Sequence, residues 1–201
     1  MKTLLTFFVL LFSSSVVADD ISDFEIEGMS LGDSLLDYMT EEEILKEIEL
    51  NKDYYIHLNE PYKYLEVYSF KDFQSFDSLA FLIKNSPTSQ YISNKNNKYL
   101  ILSIRGLIDF NGNFNGCIEK RDEIAKNLSQ VFPNAKKSEG NYVDSYDNTI
   151  VDGVYFNFDS GGESKVVCYD YEETVQIKNN WMDNLSVAIQ YSEIANWLDD
   201  Y

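Results

Sequence analysis

The chain of 201 residues predicts an α+β protein, mainly antiparallel sheet with helices packed on it. Two observations carry this. Residues 153–159, GVYFNFD, put Val154, Phe156 and Phe158 on one side and Tyr155 and Asn157 on the other. Ser160-Gly161-Gly162 then turns the chain, and Lys165–Tyr171 returns as a second strand, a β-hairpin. The second observation is the order of elements: strand, helix, three strands, helix, three strands, helix. It suggests two tandem helix-plus-three-strand units, 24–110 and 111–201, inside one α+β domain of 19–201.

Residues 1–18 read as a signal peptide. Lys2 is a minimal basic start, Leu4–Phe12 is an apolar run too short to span a bilayer, and Val16-Val17-Ala18 suits cleavage between Ala18 and Asp19. No later stretch approaches eighteen apolar residues, so no membrane insertion is expected after cleavage. Removing 18 of 201 residues leaves 183, and with Lys2 gone, 15 basic residues against 34 acidic ones give a net charge of −19. A charge this negative argues against nucleic acid and anionic lipid as partners.

After the signal, Phe24 and Ile26 alternate with acids as a short strand, and Gly28 ends it. Leu31, Leu35, Leu36 and Met39 recur at helical spacing, with Asp33 or Ser34 able to cap a short helix. Thr40 and Glu43 form a capping box for a second helix reaching about Leu50, with Ile44, Leu45, Ile48 and Leu50 as its apolar face. No basic residue lies near the glycines to hold a phosphate. Gly28, Met29, Ser30, Gly32, Asp33 and Ser34 are therefore read as a structural motif.

The string from Glu27 to Tyr38, EGMSLGDSLLDY, following a signal peptide and followed by an acidic helix, resembles an uncharacterised family of small exported proteins of marine, low-GC bacteria. The resemblance spans about Asp23 to Ile44. It implies export, a bacterial source and a disulfide-permissive compartment, and carries over no functional residue.

Residues 51–61 are an aromatic connector holding Tyr54, Tyr55 and His57. A single histidine has no companion for a zinc site and no nucleophile motif beside it. Strands follow at Tyr62–Phe70, Leu79–Ile83 and Tyr99–Phe110, with breaks at Ser86-Pro87 and Ser93–Lys98. In the third strand Leu100, Leu102 and Ile104 are expected on one face and Ser103 and Arg105 on the other, with a bulge or bend at Gly106. Asn111, Asn113, Asn115, Gly116, Ile118 and Asp122 fall on the spacing of a calcium loop. No helix precedes them, and its first and last ligands have the wrong chemistry, so no metal or other cofactor is expected.

Cys117–Phe132 reads as an amphipathic helix stopped by Pro133. Cys117, Ile124, Leu128, Val131 and Phe132 face inward, and Glu119, Lys120, Arg121, Lys126 and Asn127 face solvent. Residues 134–149 read as a long exposed loop. Asn184–Tyr191 is the last strand, and Ser192 caps a helix docking Ile194, Trp197 and Leu198.

In an exported chain the two cysteines, Cys117 and Cys168, are expected as one disulfide clamping a helix to a strand, which demands a Cα separation of about 4.4–6.8 Å. Two free buried thiols are the alternative. The sequence contains no P-loop, dinucleotide fingerprint, zinc-binding helix or nucleophile elbow. These features favour an exported, periplasmic or secreted, non-catalytic binding or envelope-accessory protein, with a protein, peptide or glycan as partner. An acid-dependent hydrolase with an unassigned carboxylate pair is the alternative.

Overall fold

A computed structural model describes residues 21, 24–85, 97–145 and 147–199. The signal peptide, its cleavage point at Ala18 and Asp19, the Ser86-Pro87 break and most of the 93–98 turn lie outside the described residues. Seven antiparallel strands form one sheet: β3 (Tyr64–Ser69), β4 (Ser78–Lys84), β5 (Ile101–Asp109), β6 (Lys136–Val143), β7 (Ile150–Asn157), β8 (Glu163–Asp170) and β9 (Asn184–Gln190), in the spatial order β3-β4-β5-β9-β8-β7-β6. A small hairpin precedes them, β1 (Glu25–Ile26) with β2 (Met29–Ser30). The helices are α1 (Glu41–Asn51), α2 (Phe114–Val131), α3 (Glu173–Asn179) and α4 (Ser192–Asp199). The fold is α+β, with helices packed on an antiparallel sheet. The strands from the two halves of the sequence join edge to edge, because β9 pairs with β5 on one side and β8 on the other.

Strand alternation gives the sheet two unlike faces. On the packed face, Val67, Phe81, Ile104, Ile189 and Phe156 form one row and Leu79, Val187, Val166 and Val154 another, covered by α2, by Ile44 of α1 and by the segment around the small hairpin. The open face carries Glu66, Tyr68, Arg105, Lys165 and Tyr169. One end of it is closed over apolar side chains, where Ile194 and Trp197 of α4 and Leu58 meet Tyr64, Leu82 and Leu102.

The Thr40–Glu43 capping box is present in both directions. The apolar face expected for α1 is narrower than read. Ile44 is buried and Ile48 half-buried, but Leu45 and Leu50 are exposed, since a helix laid along the edge strand β3 buries a single i, i+4 stripe. The expected short helix over Leu31–Met39 is instead a turn after β2 and a single 3-10 turn at Leu35–Asp37. Glu27 and Gly28, at φ of 53° and 76°, close the β1–β2 turn as the left-handed pair a tight hairpin needs.

Four further expectations are corrected. Residues 134–149 are not one loop, because β6 occupies 136–143 as the outermost strand, exposed on both sides and so without alternation. The register shift of β5 falls where Leu102 and Ser103 both reach the open face, so Leu102 does not share a face with Ile104. Gly106 sits in regular register, and its missing side chain leaves room for Phe76, whose ring carbon Cδ1 would lie 2.5 Å from an added Cβ. Finally, Arg121 does not face solvent. Its guanidinium pairs with Asp152 on β7 beneath α2. Asn113 caps α2 and residues 114–122 are helical, so the calcium-loop spacing belongs to a helix start.

Cys117 and Cys168 stand at disulfide distance with Cα atoms 6.0 Å apart, inside the geometric window, linking α2 to β8. No helix among the described residues is long and apolar enough to cross a membrane.

Candidate functional site

The Glu27–Tyr38 motif spends its polar groups on itself, on the chain entering β5 and on residues 71–75, where the Gln74 and Ser75 amides donate to Glu27 and Lys71 donates to the Tyr38 carbonyl. Asp33 accepts from the Ser30 amide at 3.0 Å and from the Tyr38 hydroxyl at 2.6 Å. Gly32, at φ 90°, donates its amide to the Ile101 carbonyl, Leu35 donates to Tyr99, and the Ile101 amide returns to Asp33. Ser34 donates to the Lys98 carbonyl at 2.8 Å and Met29 is buried. These bonds fasten the motif to the chain entering β5.

The chemistry lies on the open face instead. Arg105, in the middle of β5, places its side chain on a floor that Tyr68, Ala80, Ala188 and Lys165 share by register. Its Nη2 donates to Glu66 Oε1 at 2.7 Å and to the Tyr68 hydroxyl at 3.1 Å. Tyr55 donates a second bond to the same Glu66 oxygen at 3.1 Å. The Glu66 side chain is 2% exposed, whereas that of Arg105 is 30% exposed. Burial pushes the Glu66 carboxyl above the usual carboxylate range, and Arg105 opposes that without cancelling it. Burial also works against the charge of Arg105, but Glu66 and the surrounding phenols outweigh it and keep the guanidinium protonated.

Aromatic side chains build walls around this pair. Tyr54, from the connector after α1, meets Trp181, from the connector before β9, with ring centroids 5.9 Å apart. Trp181 packs on Tyr171 at 5.2 Å, and Tyr171 stacks on Tyr169 at 5.8 Å. Burial raises the Tyr54 and Tyr171 hydroxyls well above the normal phenol value, and pushes Tyr68 up to about 12, so all three stay neutral hydrogen-bonding groups. Tyr54 and Trp181 form an arch dividing a groove into two compartments, of about 580 Å³ and about 330 Å³. Arg105, Tyr54, Tyr169, Tyr171, Trp181 and Ser186 line both. The sizes are those of small-molecule sites, with aromatic and apolar side chains interleaved with polar and charged ones.

The larger compartment opens beside four exposed apolar or aromatic residues: Leu50, Tyr54, Phe70 and Met182 at 67%, 36%, 74% and 48% exposure. Glu47, Asp77 and Asp109 add carboxylates to its wall. Burial and the neighbouring Asp77 raise the Asp109 carboxyl. His57 is exposed near the smaller compartment, 6.3 Å from the Tyr55 ring. Among the described residues no cluster of histidine, cysteine and acidic side chains is arranged to hold a metal ion.

None of the groove residues belongs to the Glu27–Tyr38 motif. Sequence reasoning placed Arg105 opposite Ile104 but missed Glu66. The available signal was an acid inside the apolar strand Tyr64–Ser69, matched by a base inside β5.

The fold and groove together define an α+β protein with a ligand-sized cleft on the sheet face turned away from α2. Comparison with protein-family models, with curated proteins and with solved structures finds no match. The site is therefore read from its own chemistry.

Proposed function

We propose that this is an exported, periplasmic or secreted, non-catalytic binding protein, and that the groove over Arg105 is its binding site. The observation that carries the reading is the aromatic pair Tyr54 and Trp181 lining the same groove as a part-exposed arginine on the sheet face away from α2. An aromatic wall offers apolar area at low entropic cost, and a guanidinium held by Glu66 and Tyr68 offers fixed donors. The one buried carboxylate of the groove, Glu66, is committed to Arg105 rather than paired with a second acid. Export is supported by the apolar N-terminal run, by the two cysteines at disulfide distance and by the likeness of Glu27–Tyr38 to exported bacterial proteins.

A hydrolase reading keeps one specific support, the adjacent Asp77 and Asp109, whose backbone and carboxylate are joined by a 2.9 Å bond and of which Asp109 is raised. The test handles both. Mature protein is incubated with envelope extract, desalted and examined by native mass spectrometry, alongside Trp181→Ala and a broad hydrolase screen. The expected result is an adduct on the wild type that is absent from a folded Trp181→Ala variant. Turnover by the wild type that disappears in Asp109→Asn would replace binding with hydrolysis.

A further inference from the structure

The groove presents an unspent donor set. Arg105 uses only Nη2 within the protein, toward Glu66 and Tyr68. Among the described residues, Nε and Nη1 have no partner, and neither is enclosed away from solvent in the way the unpartnered Glu66 Oε2 is. With Nη2 engaged, the Nε–H and the Nη1 hydrogens remain as separate charge-assisted donors, each able to bind one oxygen of a carboxylate. Arg105 lines the groove, while Leu50, Phe70 and Met182 stand exposed at its mouth. Charge at the bottom and apolar surface at the rim fit an amphiphile entering head first.

We infer that the ligand of this groove is a carboxylate with an apolar or aromatic body, its head on the free Nε–H or Nη1–H of Arg105 and its body against the Tyr54–Trp181 pair and the apolar rim. The inference rests on the groove being the binding site. Glu47, Asp77 and Asp109 on the wall and the strongly negative chain limit the ligand to a single negative charge, since each further anionic group meets repulsion. A free organic acid and the C-terminus of a peptide share this chemistry.

Five probes separate the outcomes: 3-phenylpropionate, 3-phenylpropionamide, 3-phenylpropan-1-amine, and an acetylated tripeptide ending in phenylalanine as free acid and as amide. Each is titrated by calorimetry into the mature, disulfide-intact protein at fixed salt. The indole N–H resonances are followed by NMR, since the chain has two tryptophans and Trp197 is tied to the Glu60 carbonyl in the other apolar cluster. The expected result is that each acid binds at least about tenfold tighter than its amide, as a charge-assisted hydrogen bond implies. The amine binds weakest, and Trp181 shifts while Trp197 does not. In Arg105→Gln the acid should fall to the affinity of the amide. If that variant fails to fold, the acid, amide and amine ranking on the wild type still decides. The tighter of the two acids assigns the source, small acid or peptide terminus. Equal binding of acid and amide, or tightest binding of the amine, overturns the carboxylate while leaving the groove reading intact. Silence from all five probes at Trp181 overturns both.

Discussion

Gly106 is buried in the centre of β5, and the ring of Phe76 lies against it. An alanine Cβ there would sit 2.5 Å from Phe76 Cδ1 and Cε1 and 2.7 Å from Cγ. Carbon atoms pack at about 3.5–4.0 Å, so ring or strand must yield by about 1 Å. Gly106 is hydrogen-bonded between β4 and β9 and cannot move alone, and Phe76 is packed against the main core. Overpacking of this kind costs about 1–3 kcal/mol. For a chain of this size that lowers Tm by roughly 2–12 °C. Gly106→Ala should be measured by urea and thermal unfolding of the disulfide-intact protein, beside Phe76→Ala and the double variant. Phe76→Ala is destabilising by itself. In its background Gly106→Ala should become neutral or stabilising by about 0.5 kcal/mol, because alanine loses less backbone entropy than glycine. Equal cost in both backgrounds would refute the steric account, and a harmless Gly106→Ala in the wild type would do so at once.

Four other outcomes follow from the same structure. Reducing the Cys117–Cys168 link, whose sequence separation is 51, should cost up to about 4 kcal/mol in the chain-entropy picture, read as a fall in urea midpoint on adding reductant; an unchanged midpoint contradicts it. Thr40→Ala should cost about 1 kcal/mol through loss of the α1 cap, by chemical denaturation at pH 7. The Glu43 carboxyl is lowered by its bonds from the Thr40 backbone and hydroxyl, so its contribution is present above the ordinary carboxylate range and lost as pH falls through its depressed value. The deficit of Glu43→Gln should therefore shrink on acidification, and a growing deficit would contradict the sign. Glu66 behaves oppositely. Its raised carboxyl contributes fully below the unfolded pKa and loses that contribution as pH rises through the folded value, so the deficit of Glu66→Gln should be larger at pH 4.5 than at pH 7.5.

What could be read from residue order tracks which faces are buried. The hairpin of β7 and β8 was legible because Val154 and Phe156 point into the core while Tyr155 does not. The α1 start was legible because a capping box is local chemistry. Strand β6 was hidden because both of its sides are exposed, which leaves no period to detect. Arg121 was read as a solvent residue because its type says nothing of the Asp152 waiting across the sheet, 31 positions away. The groove was invisible for the same reason. Tyr54, Arg105 and Trp181 lie far apart in sequence, and only the insertion of β9 beside β5 brings them together.

That insertion also dictates an order of events. Until residues 184–190 are available, β5 and β8 each present a bare hydrogen-bonding edge. A chain emerging from its N-terminal end can form β3-β4-β5 as one meander and β6-β7-β8 as another, but it cannot close the sheet. Joining them pairs β5 with a strand about 80 positions later, the kind of non-local contact that slows folding and leaves sticky edges in the interval. The protein is therefore most exposed to misassembly until residues 184–190 join the sheet, and a chaperone acting on it before then meets two half-sheets lacking their shared keystone.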